Sequence, residues 1–492
     1  MRRFLILTFC LISISVRSQQ WEIAYPVEEH AFLQGGCCNG DGNYLFGVCD
    51  ENENDVYMNA YAMYVGQNGD YITRKYCFEG YKSELCSSVC LDNGNAFVVG
   101  IKGGTSTDKV YDSLWIAVVT PALDIVEEHC YPLVAPYKTW TNDIYLDFNN
   151  NGDVIVLADV SDKDYPFVTN GVYVVLKCDT HGNVLQNRYF PDGHGPNGAR
   201  PTGIRRVPDS DRMLLLGKAF MVSGVHSLAY IDDDLNLVEA YPLSWMEGVW
   251  NHTDYWKDDS HFLMSSQTYH YGMSNSYYAA VFEVDYSGHY IDTLVYDRAD
   301  TADYTAQYGS MACFDDKAIY IATYWENGLN EDPNDVVVIM IDKDLNLLGV
   351  KKLTYEGVKI RPMHCQVTAD GGCLVYGKSK KSYGIDMIIV WKLMPDDFTV
   401  PWTLSDDPEV SQHIEVYPNP TSDYLNILLQ CKENQCVRVS VCDIEGRKYF
   451  EHRFENREGL LTIDVSAFDS GTYVYEVFND GKNIMRGIFI KN

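Results

Sequence analysis

Basic side chains are scarce in this chain: 38 Lys and Arg stand against 69 Asp and Glu, leaving a formal charge of −31. The acidic residues are spread along the sequence, which excludes nucleic acid and anionic lipid surfaces as natural partners, because both are polyanions. Long apolar runs are missing as well. Beyond the N-terminal segment nothing approaches the roughly 20 apolar residues of a membrane span, so no transmembrane segment is expected in the mature chain. Gly-x-Ser-x-Gly, His-Glu-x-x-His, Gly-rich phosphate loops and zinc-type cysteine spacings are all absent. Neither a metal nor a cofactor is therefore expected. Helical periodicity is nearly absent between Trp21 and Val400, which points to an all-β body.

What is present begins with residues 1–18, where Arg2 and Arg3 precede the apolar run Phe4–Ile12 and Val16-Arg17-Ser18 carries small residues at the two positions a signal peptidase reads. Cleavage there leaves Gln19 first. With 492 residues, 46% of them hydrophobic, and with 37 Tyr and 9 Trp, the chain has ample material for a core. Fifteen cysteines suit an oxidising compartment. Cys431 and Cys436 flank a hairpin, and Cys77 lies near Cys86 and Cys90, so one or two bridges fit the sequence without a readable connectivity. Cys38, Cys90 and Cys313 share one register of an internal repeat, which favours small buried side chains there over bridges.

That repeat recurs about every fifty residues. Its first half is a Gly/Asn/Asp turn feeding a short apolar strand, as at Asp41–Gly47, Asp92–Gly100, Asn151–Ala158, Asp211–Gly217 and Asp370–Gly377. Its second half is a longer apolar strand, an acidic turn and a strand ending in an aromatic residue: Val172–Leu176, Asp179–Asn183 and Tyr189, or Val336–Ile341, Asp342–Asn346 and Tyr355. Strands so rich in Val, Ile and Leu imply burial on both faces. Units starting near Ala31, Ser87, Asn142, Thr202, His252, Tyr308 and Ile360 each have room for four strands. The expectation is a β-propeller of about seven four-stranded blades over residues 19–402, with six or eight blades as alternatives. The last unit is one strand short, and Trp21–Pro26 resembles a fourth strand able to complete it.

Residues 403–413 read as a linker, and residues 414–492 as a small Ig-like β-sandwich with strands near Leu425–Leu429, Val437–Cys442, Leu461–Val465, Thr472–Val477 and Arg486–Ile490. Here Tyr417-Pro418-Asn419-Pro420, Leu425, Ile427, Val439, Val441, Asp443, Gly446, Ile463, Val465, Gly471, Tyr473 and the closing Gly487–Lys491 occur in order at the C-terminus. This stretch resembles the type A C-terminal sorting domain of the type IX (Por) secretion system of Bacteroidetes. The resemblance implies recognition by the outer-membrane translocon and a secreted or cell-surface location, with Tyr417, Pro418, Asn419, Pro420, Gly446, Gly471, Tyr473 and Lys491 as its sorting motif.

The body carries no comparable motif. Asp147–Asp153 starts like a calcium loop, but Ala158 stands where the twelfth-position Glu belongs, so it reads as a hairpin turn. Asp232-Asp233-Asp234 and Asp342-Lys343-Asp344 recur at equivalent turns, as solvated turn residues do. Loops at one rim hold Trp140, Arg200, Trp250, His252, Tyr269, His270, Trp325, Arg361 and His364, where aromatic platforms and Arg or His could meet a glycan or protein ligand. A binding module is the favoured expectation. A polysaccharide lyase or hydrolase, with His252 or His364 as acid or base and Arg361 holding a carboxylate, is the alternative.

Overall fold

The repeated acidic turns are built by side chains that cap their own backbone. The Asp179 carboxylate accepts hydrogen bonds from the N–H groups of His181 and Asn183 at 3.0 and 2.9 Å, and Asp342 accepts from Asp344 and Asn346 at 2.9 and 2.8 Å. Asp232 and Asp285 cap Asn236 and His289 in the same way. These are Asx-type turns. Asn149, at the start of the calcium-like run, takes the N–H groups of Asn151 and Asp153, so that run too is a capped hairpin.

A computed structural model describes residues 20–399 with breaks at 27–29, 51–57, 80, 104–111, 135–138, 140–142, 161–171, 191–198, 220–225, 244–249, 270–276, 297–301, 307–308, 315–317, 327–335, 355–358 and 381–386. It also describes residues 414–491 with breaks at 418–420, 423, 430–435, 444–446, 456–458 and 480–481. Residues 1–18 and the linker 403–413 thus lie outside the described residues. Among those described the chain is all-β, with a lone 3-10 turn at Pro395–Asp397. No helix among them is long and apolar enough to cross a membrane.

Seven antiparallel sheets follow one another between Trp21 and Leu393 among the described residues. The first runs His30–Cys38, Gly42–Asp50, Met58–Gly66, Tyr71–Tyr76, and the second Lys82–Cys90, Ala96–Gly103, Ser113–Val119, Ile125–Pro132. The third spans Ile144–Phe148 to Val184–Phe190, the fourth Ala199–Arg206 to Leu237–Leu243, and the fifth Trp250–Trp256 to Tyr290–Tyr296. In the sixth the first strand is interrupted, so Ala302–Thr305 and Met311–Phe314 both pair with Ala318–Glu326. The seventh has Lys359–Val367, Cys373–Lys380 and Met387–Leu393, and its fourth strand is Trp21–Pro26, in register Trp21 to Lys392 through Pro26 to Met387. The chain's beginning thus completes its last repeat, as its likeness to a fourth strand predicts.

Burial follows position within each sheet. Third strands such as Val336–Ile341 are buried throughout, whereas the outermost Ile125–Pro132 alternates between half-buried and exposed. Separate apolar cores fill the junctions: Leu45, Met63 and Val390 between sheets seven and one, Val99, Ile116 and Val156 between two and three, and Tyr320, Val338 and Trp391 between six and seven. First strands touch in a closed cycle from the first sheet through the seventh and back. Tyrosines stitch neighbours together across these junctions. Tyr44 donates to Gly94 O at 2.9 Å, Tyr230 to Tyr286 O at 2.6 Å and Tyr320 to Gly371 O at 2.7 Å, so each hydroxyl satisfies a turn carbonyl of the next sheet.

Residues 414–491 belong to a second compact unit. One sheet holds Ile414–Tyr417, Tyr424–Leu429 and Gly459–Asp464, the other Lys448–Glu455, Cys436–Asp443, Gly471–Asn479 and Lys482–Lys491. Leu425, Ile427 and Ile463 of the first sheet share a core with Val439, Val441, Val477 and Phe489 of the second. The charged strand Lys448–Glu455 and the short Ile414–Tyr417 are additional to the five expected, because an edge strand with little apolar alternation carries a weak sequence signal.

Candidate functional site

First strands of five sheets break register at equivalent places: Leu33/Gly35, Leu85/Ser87, Pro201/Gly203, Asn251/Thr253 and Pro362/His364. In the sixth sheet the strand is interrupted outright. A bulge of this kind re-aims side chains out of the ladder. Here the bulges of sheets one, two, four and seven surround a cavity of about 230 Å³ lined by Gln34, Ser88, Asp147, Thr202, Arg205 and His364 among others. Sheets approach very closely there, since a Cβ on Gly35 would lie 2.0 Å from Cys86 O. Only glycine fits that spot.

Most polar groups of this wall already have partners. Gln34 Nε2 donates to Leu85 O at 3.1 Å, tying the first sheet to the second. Asp147 Oδ2 accepts from the Arg206 N–H at 3.0 Å, and Arg205 Nη1 donates to Ile204 O at 3.2 Å. Three buried atoms differ: Ser88 Oγ, Thr202 Oγ1 and His364 Nδ1 have no hydrogen-bond partner within the protein. They come from three different sheets.

His364 is held rigidly. Its ring stacks on Tyr376 with centroids 5.3 Å apart and planes 2° from parallel, and a Cβ on Gly309 would sit 2.4 Å from its Nε2. The backbone beside it is pinned by the Cys365 N–H donating to Gly309 O at 2.7 Å. Burial, aided by the Arg205 charge and opposed by a backbone hydrogen bond at Cys365, pulls its pKa down to about 4. At neutral pH the imidazole is uncharged and serves as a hydrogen-bonding group or a base.

Of the other rim residues, Arg361 has a described side chain, and it does not join His364 at the cavity. Arg361 is exposed, donates from Nε to Tyr324 Oη at 3.0 Å and stacks its guanidinium 5.6 Å from that ring, so it bridges sheets six and seven rather than lining the cavity. Arg200, Trp250, His252 and Tyr269 lie in strands whose side chains fall outside the described residues there, as does that of Trp325, while Trp140 and His270 lie outside altogether. Ser88 and Thr202 escaped sequence reasoning because a buried serine or threonine in a strand looks like any other; the recurrent bulge position is the signal that marks Thr202. Among the described residues no cluster of His, Cys, Asp and Glu could hold a metal.

In the second unit Tyr473 is buried and donates to Asp469 O at 2.9 Å, and Asp443 holds its turn through Arg447, accepting from its N–H and Nε at 2.9 and 2.6 Å. Thr421 N donates to Ile490 O at 2.9 Å, anchoring the segment before the first long strand onto the terminal one, where Lys491 is buried. Gly471 opens the strand that carries Tyr473. Tyr417 ends Ile414–Tyr417, whereas Pro418, Asn419, Pro420 and Gly446 lie outside the described residues.

Residues 415–491 match the family described as secretion system C-terminal sorting domain. This segment is a type IX secretion sorting signal, and it implies secretion or a cell-surface location. No curated protein matches the chain. Among solved structures, a puromycin hydrolase is 11% identical with a TM-score of 0.45, covering 81% of this chain and 58% of the hydrolase, so the chain spans little more than half of that protein. YCF48 bound to a peptide is 9% identical with a TM-score of 0.42, covering 76% and 94%. A Synechocystis apocarotenoid oxygenase is 10% identical with a TM-score of 0.40, covering 76% and 93%. Likeness at this level carries no functional argument.

Proposed function

We propose that the chain is an exported seven-bladed β-propeller that binds a small polar ligand outside the cell, delivered there by an Ig-like C-terminal sorting domain. Residues 1–18 act as the leader across the inner membrane, residues 19–402 form the cargo, and residues 414–492 engage the type IX translocon after the linker 403–413. The bond from Tyr473 Oη to a carbonyl four residues upstream, at the start of a strand, supports the Ig-like reading, because tyrosine corners of this kind occur in such sandwiches.

The binding reading rests on one observation. Ser88, Thr202 and His364 line one cavity, and in its wall Ser88 Oγ, Thr202 Oγ1 and His364 Nδ1 are buried without a partner in the protein. Buried polar atoms are nearly always satisfied, so three unsatisfied ones in the wall of a common void favour a polar guest there, water or a ligand, that the wall shifts to meet. A volume of about 230 Å³ admits a sugar ring or another molecule of that size, not a folded protein. Hydroxyls with a neutral imidazole suit a neutral polyhydroxyl compound, which keeps a glycan component ahead of a protein ligand. Catalysis on a polysaccharide finds less support, since Arg361, which would hold the carboxylate, is engaged by Tyr324. Saturation-transfer NMR of the full chain against monosaccharides and polyols tests the reading. Signal with the unaltered chain that disappears in Thr202→Val supports it, and a cavity that takes up water alone across the panel refutes it.

A further inference from the structure

Cys37 and Cys90 bring their sulfurs to 2.9 Å, inside the van der Waals contact of two sulfur atoms. Cys37 lies near the end of His30–Cys38 in the first sheet, and Cys90 ends Lys82–Cys90 in the second. The junction around them is fixed from both sides. Asn39 Nδ2 and Tyr44 Oη both donate to Gly94 O, at 2.8 and 2.9 Å, and Gln34 holds Leu85 O. The two sulfurs need to close by only about 0.9 Å to reach disulfide bond length.

Equivalence of Cys38 and Cys90 in the repeat is real, and it explains why a bridge is invisible in the sequence. Cys90 turns toward the preceding sheet, and Cys38 likewise turns to the seventh, where the Ala369 backbone meets its thiol. Successive strand residues face opposite ways, so Cys37 faces the following sheet and finds Cys90 there. The unequal neighbour, not the equivalent one, is the partner.

We propose that Cys37 and Cys90 form a disulfide that covalently locks the first sheet to the second in the exported protein. Export places the pair in a compartment where disulfides form and persist. The hydrogen bond to the Cys37 sulfur, with burial, pushes the Cys90 thiol far up, so it is a poor nucleophile once the sheets have closed. Oxidation therefore precedes closure. The oxidant is a protein disulfide of a cell-envelope thiol oxidoreductase. One cysteine, as thiolate, attacks it to give a mixed disulfide and expels one oxidoreductase thiolate. The second cysteine attacks its partner's sulfur and expels the other. Two electrons and two protons pass from the cysteines to the oxidoreductase, which leaves as a dithiol.

The test compares the full chain secreted through its own leader with the same chain made in a reducing cytosol, each alkylated under denaturing conditions and digested without reductant. A peptide pair linking Cys37 to Cys90 in the secreted protein, lost on reduction and absent from the cytosolic one, is the expected result. Complete alkylation of both cysteines in the secreted protein overturns the proposal, as does a link from Cys90 to Cys38. Peptide mapping of the unaltered chain needs no variant to fold. In Cys90→Ser, Cys37 becomes fully alkylatable if the pairing is correct, and its alkylation does not change if the pairing is wrong.

Discussion

Six sheets of the body are sewn by hairpins within one stretch of chain, whereas the seventh joins Trp21–Pro26 to strands more than 300 residues away. The difference shows in what holds each together. Ordinary junctions combine apolar layers with polar links between consecutive repeats, such as Asn39 Nδ2 to Gly94 O and Lys177 Nζ to Asp233 Oδ2. Around the seventh sheet the side chains add polar links that reach across the sequence: Trp391 Nε1 donates to Glu22 Oε2 at 3.0 Å, Trp21 Nε1 to Gln67 O at 2.9 Å, and Gln366 Nε2 to Asn43 Oδ1 at 3.2 Å. Directional bonds specify a register that no short turn imposes. A closed ring leaves no free edge, but only once its ends have met.

The largest effect is expected from removing residues 20–26. Met387–Leu393 then becomes an exposed apolar edge, and a loss of about 5 kcal/mol or more, comparable to a whole domain's stability, should appear in urea unfolding as a lost or broadened transition. A truncated protein with unchanged cooperativity would mean that the seventh sheet closes no ring. Next comes the ion pair inside that sheet. Lys392 is buried at 1% exposure and pairs with Asp370. Asp370→Asn removes the countercharge of a buried ammonium and should cost about 3–5 kcal/mol, with Lys392→Met in the same chain recovering most of it. The half-exposed Lys102–Glu128 pair of the second sheet should give about 1 kcal/mol or less on the same test.

His364 adds a pH dependence to the same sheet. Its folded pKa of about 4 lies below the ordinary 6.5, so the unfolded state takes up its proton first as pH falls. Stability is intact above pH 6.5 and declines between there and pH 4, by about 3 kcal/mol. Denaturant midpoints of the unaltered chain and His364→Gln should converge as pH drops from 7.5 to 5. Parallel curves would remove the histidine from this role.

The smallest effect separates the hairpin sheets from one another. At the same turn position sheets one, three and five carry Gly69, Gly182 and Gly288, and sheets two, four and six carry Leu123, Leu235 and Leu345, all at positive φ. A Cβ on Gly182 would meet His129 at 2.9 Å, whereas Leu235 is wholly buried in a slot of its own. The left-handed leucine costs about 1–2 kcal/mol of backbone strain, against about 1.5–3 kcal/mol from burying its side chain. Leu235→Gly should therefore destabilise by only about 1 kcal/mol, read from the urea midpoint.

Much of this was legible beforehand. Turn residues at Asp41–Gly47 or Asp370–Gly377 announce hairpins because Gly, Asn and Asp adopt turn geometry cheaply, and unbroken apolar runs such as Val336–Ile341 announce burial on both faces. The missing fourth strand of the last unit was readable from Trp21–Pro26 because outer strands share a pattern. The site was not. Arg361, chosen for its chemistry, bonds to Tyr324 instead, while the bulges that turn Gln34, Thr202 and their equivalents toward the cavity leave no mark in residue type.

Local chemistry in the chain dictated turns, strand lengths, repeat spacing and the sorting tail, because each depends on neighbours a few residues apart. Which residues line the cavity, that Cys37 rather than Cys38 meets Cys90, and that Lys392 finds Asp370 were decided by folding alone. Closure sets the facing of every first strand, and a shift of one residue sends a side chain to the opposite sheet.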